Sequence, residues 1–233
     1  MTEPGARGGG GRAQRRAAAT ASAADPLFDP GCARCPRLAD FLADCRRRYP
    51  DYHAAPVPAF GDPAPRILIV GLAPGMHGAN RTGRPFTGDH AGILLYRTLH
   101  ELGFGDRPVS ESADDPLRLS GVRITNAVKC LPPDNKPTPA EARSCNAWLR
   151  AELAALASMR VVVALGRIAH DAVLDADGAA RAAARFAHGA EHALGGGRTL
   201  LDSYHCSRYN TQTRRLTDTM FREVLARAAA LAG

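Results

Sequence analysis

Lysine is nearly missing from this chain: of 30 basic residues only Lys129 and Lys136 are lysines, and the rest are arginine. Aromatic residues make up 6% and tryptophan occurs once. No stretch reaches the roughly 18 to 20 uninterrupted apolar residues that a bilayer-spanning helix needs. The N-terminal arginines and glycines have no apolar segment behind them, so a soluble, unsecreted, cytoplasmic protein without a membrane partner is expected. No glycine-rich stretch has Walker A or dinucleotide-loop spacing, so no nucleotide cofactor is expected. No heptad repeat is sustained, which favours a monomer.

What is present suffices for one core: 233 residues, 45% hydrophobic, with 23% charged. The net charge of +7 is carried by arginine. Guanidinium forks match phosphate geometry, so the surplus fits a polyanionic partner; a chain rich in both Arg and Ala also follows from the base composition of its coding sequence. Residues 1–25 are a Gly, Ala and Arg tract with almost no large apolar side chain, and a disordered basic tail is expected there, with one folded domain over 26–233.

Beyond residue 25, strand-like and helix-like segments alternate. Short β-branched runs at Arg66 to Gly71, Val122 to Ala127, Arg160 to Gly166 and Thr199 to Tyr204 read as buried strands. Helices are expected near 36–49, 92–101, 138–156, from 167, and 216–231. Thr138, Pro139 and Glu141 have the spacing of a capping box with proline at the first helical position. The alternation predicts an α/β fold with a parallel sheet covered on both faces.

Six cysteines in a cytosolic chain are not expected to pair as disulfides. Cys32 and Cys35 form a C-x-x-C pair, Cys130 follows the second strand, and Cys145 lies on the next helix. Four thiolates from these segments could enclose one metal centre, and the residues leave zinc and an iron–sulfur cluster both open. Cys45 and Cys206 are left over.

Three polar loops follow predicted strands, where the working groups of open α/β sheets collect. The first runs from Gly71 to Gly92 and is rich in glycine. The second runs from Thr125 to Pro137, with Asn126 at a strand end where its amide can offer a donor and an acceptor together. The third, from Tyr204 to Arg215, combines His205 with short polar residues and arginines. Asp89 directly precedes a predicted helix, so position allows it to be an N-cap, a catalytic carboxylate, or both. Asn135 could hold a water or serve as a turn residue.

These loops resemble the uracil-DNA glycosylases that carry an iron–sulfur cluster, specifically family 5. The likeness is carried by Gly71-Leu72-Ala73-Pro74-Gly75 through Asn80 to Asp89, by Asn126 through Lys136, and by His205 through Thr217. It implies a three-layer α/β/α sandwich around a four-stranded parallel sheet, and a structural [4Fe–4S] cluster on Cys32, Cys35, Cys130 and Cys145. It also implies hydrolysis of the N-glycosidic bond of uracil, and of hypoxanthine and xanthine, in the DNA of a bacterial nucleoid. By the same resemblance Asp89, Asn135 and His205 are the catalytic set. Gly71, Ala73, Phe86, Asn126 and His205 would hold the flipped base, and Ser207, Arg208, Asn210, Arg214 and Arg215 the DNA backbone.

Two departures stand out. Leu72 occupies the position where the related family 4 has glutamate, which favours family 5. Cys206 replaces the proline of the usual His-Pro-Ser motif, freeing the backbone torsion that precedes Ser207. A narrow family 4-like enzyme, a damage-binding protein without catalysis, and an iron–sulfur electron carrier are the alternatives.

Overall fold

The computed structural model describes residues 28–233, so the expected N-terminal tail lies outside the described residues. In chain order the elements are α1 (Pro36–Arg48), β1 (Phe60–Gly61), β2 (Ile67–Gly71), α2 (Ala79–Thr82), α3 (His90–Glu101), β3 (Val122–Asn126), α4 (Pro139–Ala155), β4 (Val161–Leu165), α5 (Arg167–Asp177), β5 (Glu191–Ala193), β6 (Thr199–Ser203), α6 (Arg208–Gln212) and α7 (Asp218–Ala232). Among the described residues, no helix is long and apolar enough to cross a membrane.

The sheet runs β1-β3-β2-β4-β6-β5. The middle four strands are parallel, as the alternation predicts. The two edges, β1 and β5, pair antiparallel and extend the expected four strands to six. At two and three residues they are too short to leave a period-2 signal in the sequence.

Alternation along the strands sends successive side chains to opposite layers. Ile67 and Ile69 of β2, with Val161 and Val163 of β4, pack on Leu94, Leu95 and Leu99 of α3 and on Phe221, Val224 and Leu225 of α7. Leu68, Val70, Val162 and Ala164 face the other way, onto Leu149 and Leu153 of α4 and Val173 of α5. Both layers of the sandwich are thereby filled from one set of five-residue strands. The chain leaves β2 for β3 on one side and returns to β4 on the other, which puts the topological switch point at the carboxyl end of β2.

Helix α4 starts as read: the Thr138 hydroxyl accepts from Glu141 N and the Glu141 carboxylate accepts from Thr138 N. Glu141 also receives a two-pronged bond from Arg37, which ties α1 to α4.

Candidate functional site

The register pairs Gly71, the last residue of β2, with Asn126, the last of β3. A Cβ at Gly71 would collide with the Asn126 amide and the Phe86 ring, so glycine is what lets both groups close over the strand end. Phe86 has a φ of 54°, in the left-handed region that a bulky residue rarely adopts. Its ring is 6% exposed and lies near-parallel to His205, with centroids 5.9 Å apart and 27° between planes. The backbone carbonyl of Phe86 presses on Gly92, where a Cβ would overlap it.

His205 follows β6, and its backbone carbonyl accepts from Asn210 Nδ2 at 2.8 Å. Burial without an anionic partner pushes the imidazole down to about 4, so at neutral pH the ring is uncharged and carries one N–H.

Asp89 is the N-cap of α3. Its Oδ1 accepts from Gly92 N at 3.0 Å, satisfying a donor at the start of the helix. Its Oδ2 lies against the glycine loop, where a Cβ on Gly78 would collide with it and one on Gly75 would sit 3.6 Å away. Capping therefore occupies one carboxylate oxygen and leaves the other on the cavity wall. Burial raises the acid's pKa, and the N–H groups of Gly92 and Ala91 and the neighbouring His90 offset part of the rise.

These groups share a cavity of about 430 Å³, walled by Leu72, Ala73, Phe86, Asp89, Asn126, Asn135, His205, Ser207 and Arg208 among others. A larger cleft, about 1030 Å³, shares Asp89, His90, Asn135 and Arg208 with it and adds Arg81 and Arg97. Asn135 reaches this junction from a turn in which both it and Asp134 have left-handed φ; asparagine tolerates that conformation better than most residues. Ser207 caps α6, accepting from Asn210 N at 3.4 Å.

Not every residue singled out in the sequence lines the cavity. Asn210 turns its amide back to the His205 carbonyl. Arg215 lies over the Tyr204 ring, 4.7 Å from its centroid. Arg214 is exposed and has a φ of 56°. Conversely, His90 lines both cavities and bonds Thr211 Oγ1 at 3.1 Å, joining α3 to α6. Tyr209, 70% exposed on α6, follows Arg208 in the chain. Neither was picked out, although a histidine next to Asp89 and an aromatic within the third loop were visible signals.

The cysteines do not all share one environment. Cys35, Cys130 and Cys145 pack in one apolar cluster with Leu38 and Leu42 of α1. Burial and the nearby Cys145, Cys32 and Cys35 thiols push Cys130 up to about 12, and Lys129 N donates to Cys145 Sγ at 3.3 Å. Lys129 itself is buried, with its ammonium 2.7 Å from Glu152 Oε1 and bonded to Thr125. Cys206 is far from this group in kind: it is fully buried in the α3/α7 layer, and burial with the nearby Asp89 charge raises its thiol pKa. Cys45 packs beside the four-cysteine group but points at Met76 Sδ, 3.8 Å away.

Comparison with known proteins identifies the family. The model of the uracil DNA glycosylase superfamily matches residues 58–229. A type-5 uracil-DNA glycosylase of Thermus thermophilus is 55% identical over 207 residues, covering 87% of this chain and 94% of its own. One of Pyrobaculum aerophilum is 48% identical, covering 87% and 89%. A type-4 uracil-DNA glycosylase of Thermotoga maritima is 40% identical over only 105 residues, 45% of this chain and 46% of its own. The long matches are to type 5 and the partial ones to type 4, as the leucine at position 72 suggests. The chain belongs to the uracil-DNA glycosylase superfamily, in its type-5 family.

Proposed function

We propose that the protein is a monofunctional DNA glycosylase that removes uracil, and with it hypoxanthine and xanthine, from DNA in the bacterial cytoplasm. Water adds across the C1′–N bond: the sugar keeps the hydroxyl, the free base leaves with a proton, and an abasic site remains. The observation that carries this reading is that Asp89 and His205 share one cavity with Phe86 and Asn126. A base must leave the stack to enter, at a cost of a few kcal/mol that is smaller at a mismatch. Phe86 then stacks on it and Asn126 bonds its pairing edge. A volume of about 430 Å³ has room for a purine as well as a pyrimidine.

His205, neutral, donates to the base carbonyl on which negative charge develops as the bond breaks. Asp89, through the oxygen that does not cap α3, orients the water or faces the developing positive charge of the sugar. Asn135 holds the same water from the cavity mouth. Ser207, Arg208, Asn210, Arg214 and Arg215 contact the DNA backbone as a monomer binds it; Asn210 does so by fixing the loop, and Arg215 from its seat on Tyr204.

The cysteine donor set fits an iron–sulfur cluster. Supporting this are four thiols gathered from the segment before α1, the loop after β3 and α4. Cys32, Cys35, Cys130 and Cys145 would ligate a [4Fe–4S] cluster. Its contribution would be a structural cross-link between the segment before α1, the loop after β3 and α4; base hydrolysis transfers no electrons.

The test is to incubate anaerobically prepared, iron-loaded protein with labelled duplexes carrying U opposite G or hypoxanthine opposite T, and to score alkali-cleavable sites. Release from both is expected. Release from uracil alone would reduce the reading to a narrow uracil enzyme. Tight binding of uracil DNA with no release from either duplex would overturn it in favour of damage binding, the reading that Leu72 and Cys206 favour.

A further inference from the structure

Apart from the cavity stands a second buried cluster. Asp202, one residue before the end of β6, is fully buried and has an imidazole on each carboxylate oxygen: His170 Nδ1 of α5 lies 2.8 Å from Oδ1, and His192 Nε2 of β5 lies 3.1 Å from Oδ2. None of the three lines the cavity that holds Asp89 and His205.

The hydrogen bonds of His170 fix its chemistry. Its Nε2 is 3.1 Å from the Ala184 carbonyl, which can only accept, so Nε2 carries a proton. In the neutral ring Nδ1 is then a bare lone pair, and it faces a carboxylate oxygen. Two acceptors at 2.8 Å need a cation between them, either a second proton or a metal ion. A proton satisfies this pair alone. A metal satisfies both imidazoles and the carboxylate together, and a backbone carbonyl holding the remote nitrogen is how metal-bound histidines are commonly oriented.

We propose that His170, His192 and Asp202 form a binding site for a divalent transition metal, with zinc the best match to two imidazoles and a carboxylate. All three ligand atoms lie within 4.8 Å of one another. Zinc bonds of 2.0 to 2.1 Å place ligand atoms about 3.3 Å apart; the two imidazoles meet different oxygens of the carboxylate, so turning the side chains towards one shared oxygen would bring all three onto one ion. The His192 side chain is 14% exposed while the other two are sealed, which leaves the ion a path from solvent and a position for water as the fourth ligand. The Phe186 ring packs edge-on against His170, with centroids 5.6 Å apart, and holds that imidazole in place. Bound metal would clamp the edge strand β5 and helix α5 onto β6.

The test titrates zinc chloride into iron-loaded protein by calorimetry, with iron and zinc counted by mass spectrometry after gel filtration. One retained zinc per chain is expected with the iron content unchanged. At a hundredfold excess over the dissociation constant, the melting temperature should rise by roughly 5 to 10 °C. His192→Ala should lose the retained zinc and the shift while keeping its iron and its rate of base release. If that variant fails to fold, His192→Gln keeps a donor for Asp202 without an imidazole and should lose the zinc equally. Zinc retention that is absent in the wild type, or equal in wild type and the folded His192 variant, would overturn the proposal and leave the cluster a protonated imidazolium–carboxylate brace.

Discussion

Along β2 and β4 every residue is buried, and the alternating side chains divide evenly between the two helical layers. Just beyond the strand ends the rules change: Phe86 and Asn135 sit at left-handed φ, and Gly71, Gly78 and Gly92 are places where any side chain would strike Phe86 or Asp89. Stability in the first region is spread over many interchangeable apolar contacts. In the second region backbone strain and close approach hold a few groups in place, a pattern typical of sites where position matters more than stability. Substitutions should therefore separate folding from base release according to which region they touch.

The largest effect is expected inside. Phe221→Ala, in the α7 layer, should cost about 3 to 5 kcal/mol and lower the melting temperature by roughly 6 to 20 °C, while leaving the rate of base release at 25 °C within about twofold. Differential scanning calorimetry alongside single-turnover assays checks both.

Next comes pH. The folded-state pKa of His205 is lowered to about 4, below its unfolded value near 6.5, so the unfolded chain takes up the proton first. The stability this group contributes is complete above pH 6.5 and is lost as pH falls towards 4, by about 2 kcal/mol after allowing for screening at the open side of the ring. His205→Gln should flatten that part of the stability curve measured by urea unfolding. On the role proposed for Asp89, its base release should be slower but keep the acid limb of the wild type, since burial raises the Asp89 pKa and protonation there removes the ionised oxygen.

Gly71→Ala tests the edge from the backbone. Displacing Phe86 and Asn126 should slow base release by about 100-fold, with a melting temperature lowered by no more than roughly 4 °C. The smallest effect is expected for Thr138→Ala, which removes a helix cap remote from the cavity: about 1 kcal/mol of stability, read by urea unfolding, with the rate unchanged.

The same division governs what the sequence reveals. Runs such as Ile67 to Gly71 and the Thr138/Glu141 spacing state their structure locally, because burial and capping act within a few residues. Asp89 as a cap was readable for the same reason. Strands β1 and β5 and helices α2 and α6, two to five residues each, fall below any period. The left-handed turn at Phe86 is imposed by packing against Gly71 and Gly92, so no propensity signals it. His170, His192 and Asp202 come from three elements and 32 residues of separation, and only the sheet order brings them together.

The most direct test of the account is Asp89→Asn. Asparagine caps a helix as well as aspartate does, so the change keeps the structural role of this side chain and removes the ionised oxygen on the cavity wall. Single-turnover release of uracil is expected to fall by about 100- to 1000-fold with the melting temperature within roughly 2 °C of the wild type. Release at the wild-type rate would show that Asp89 is a cap and nothing more.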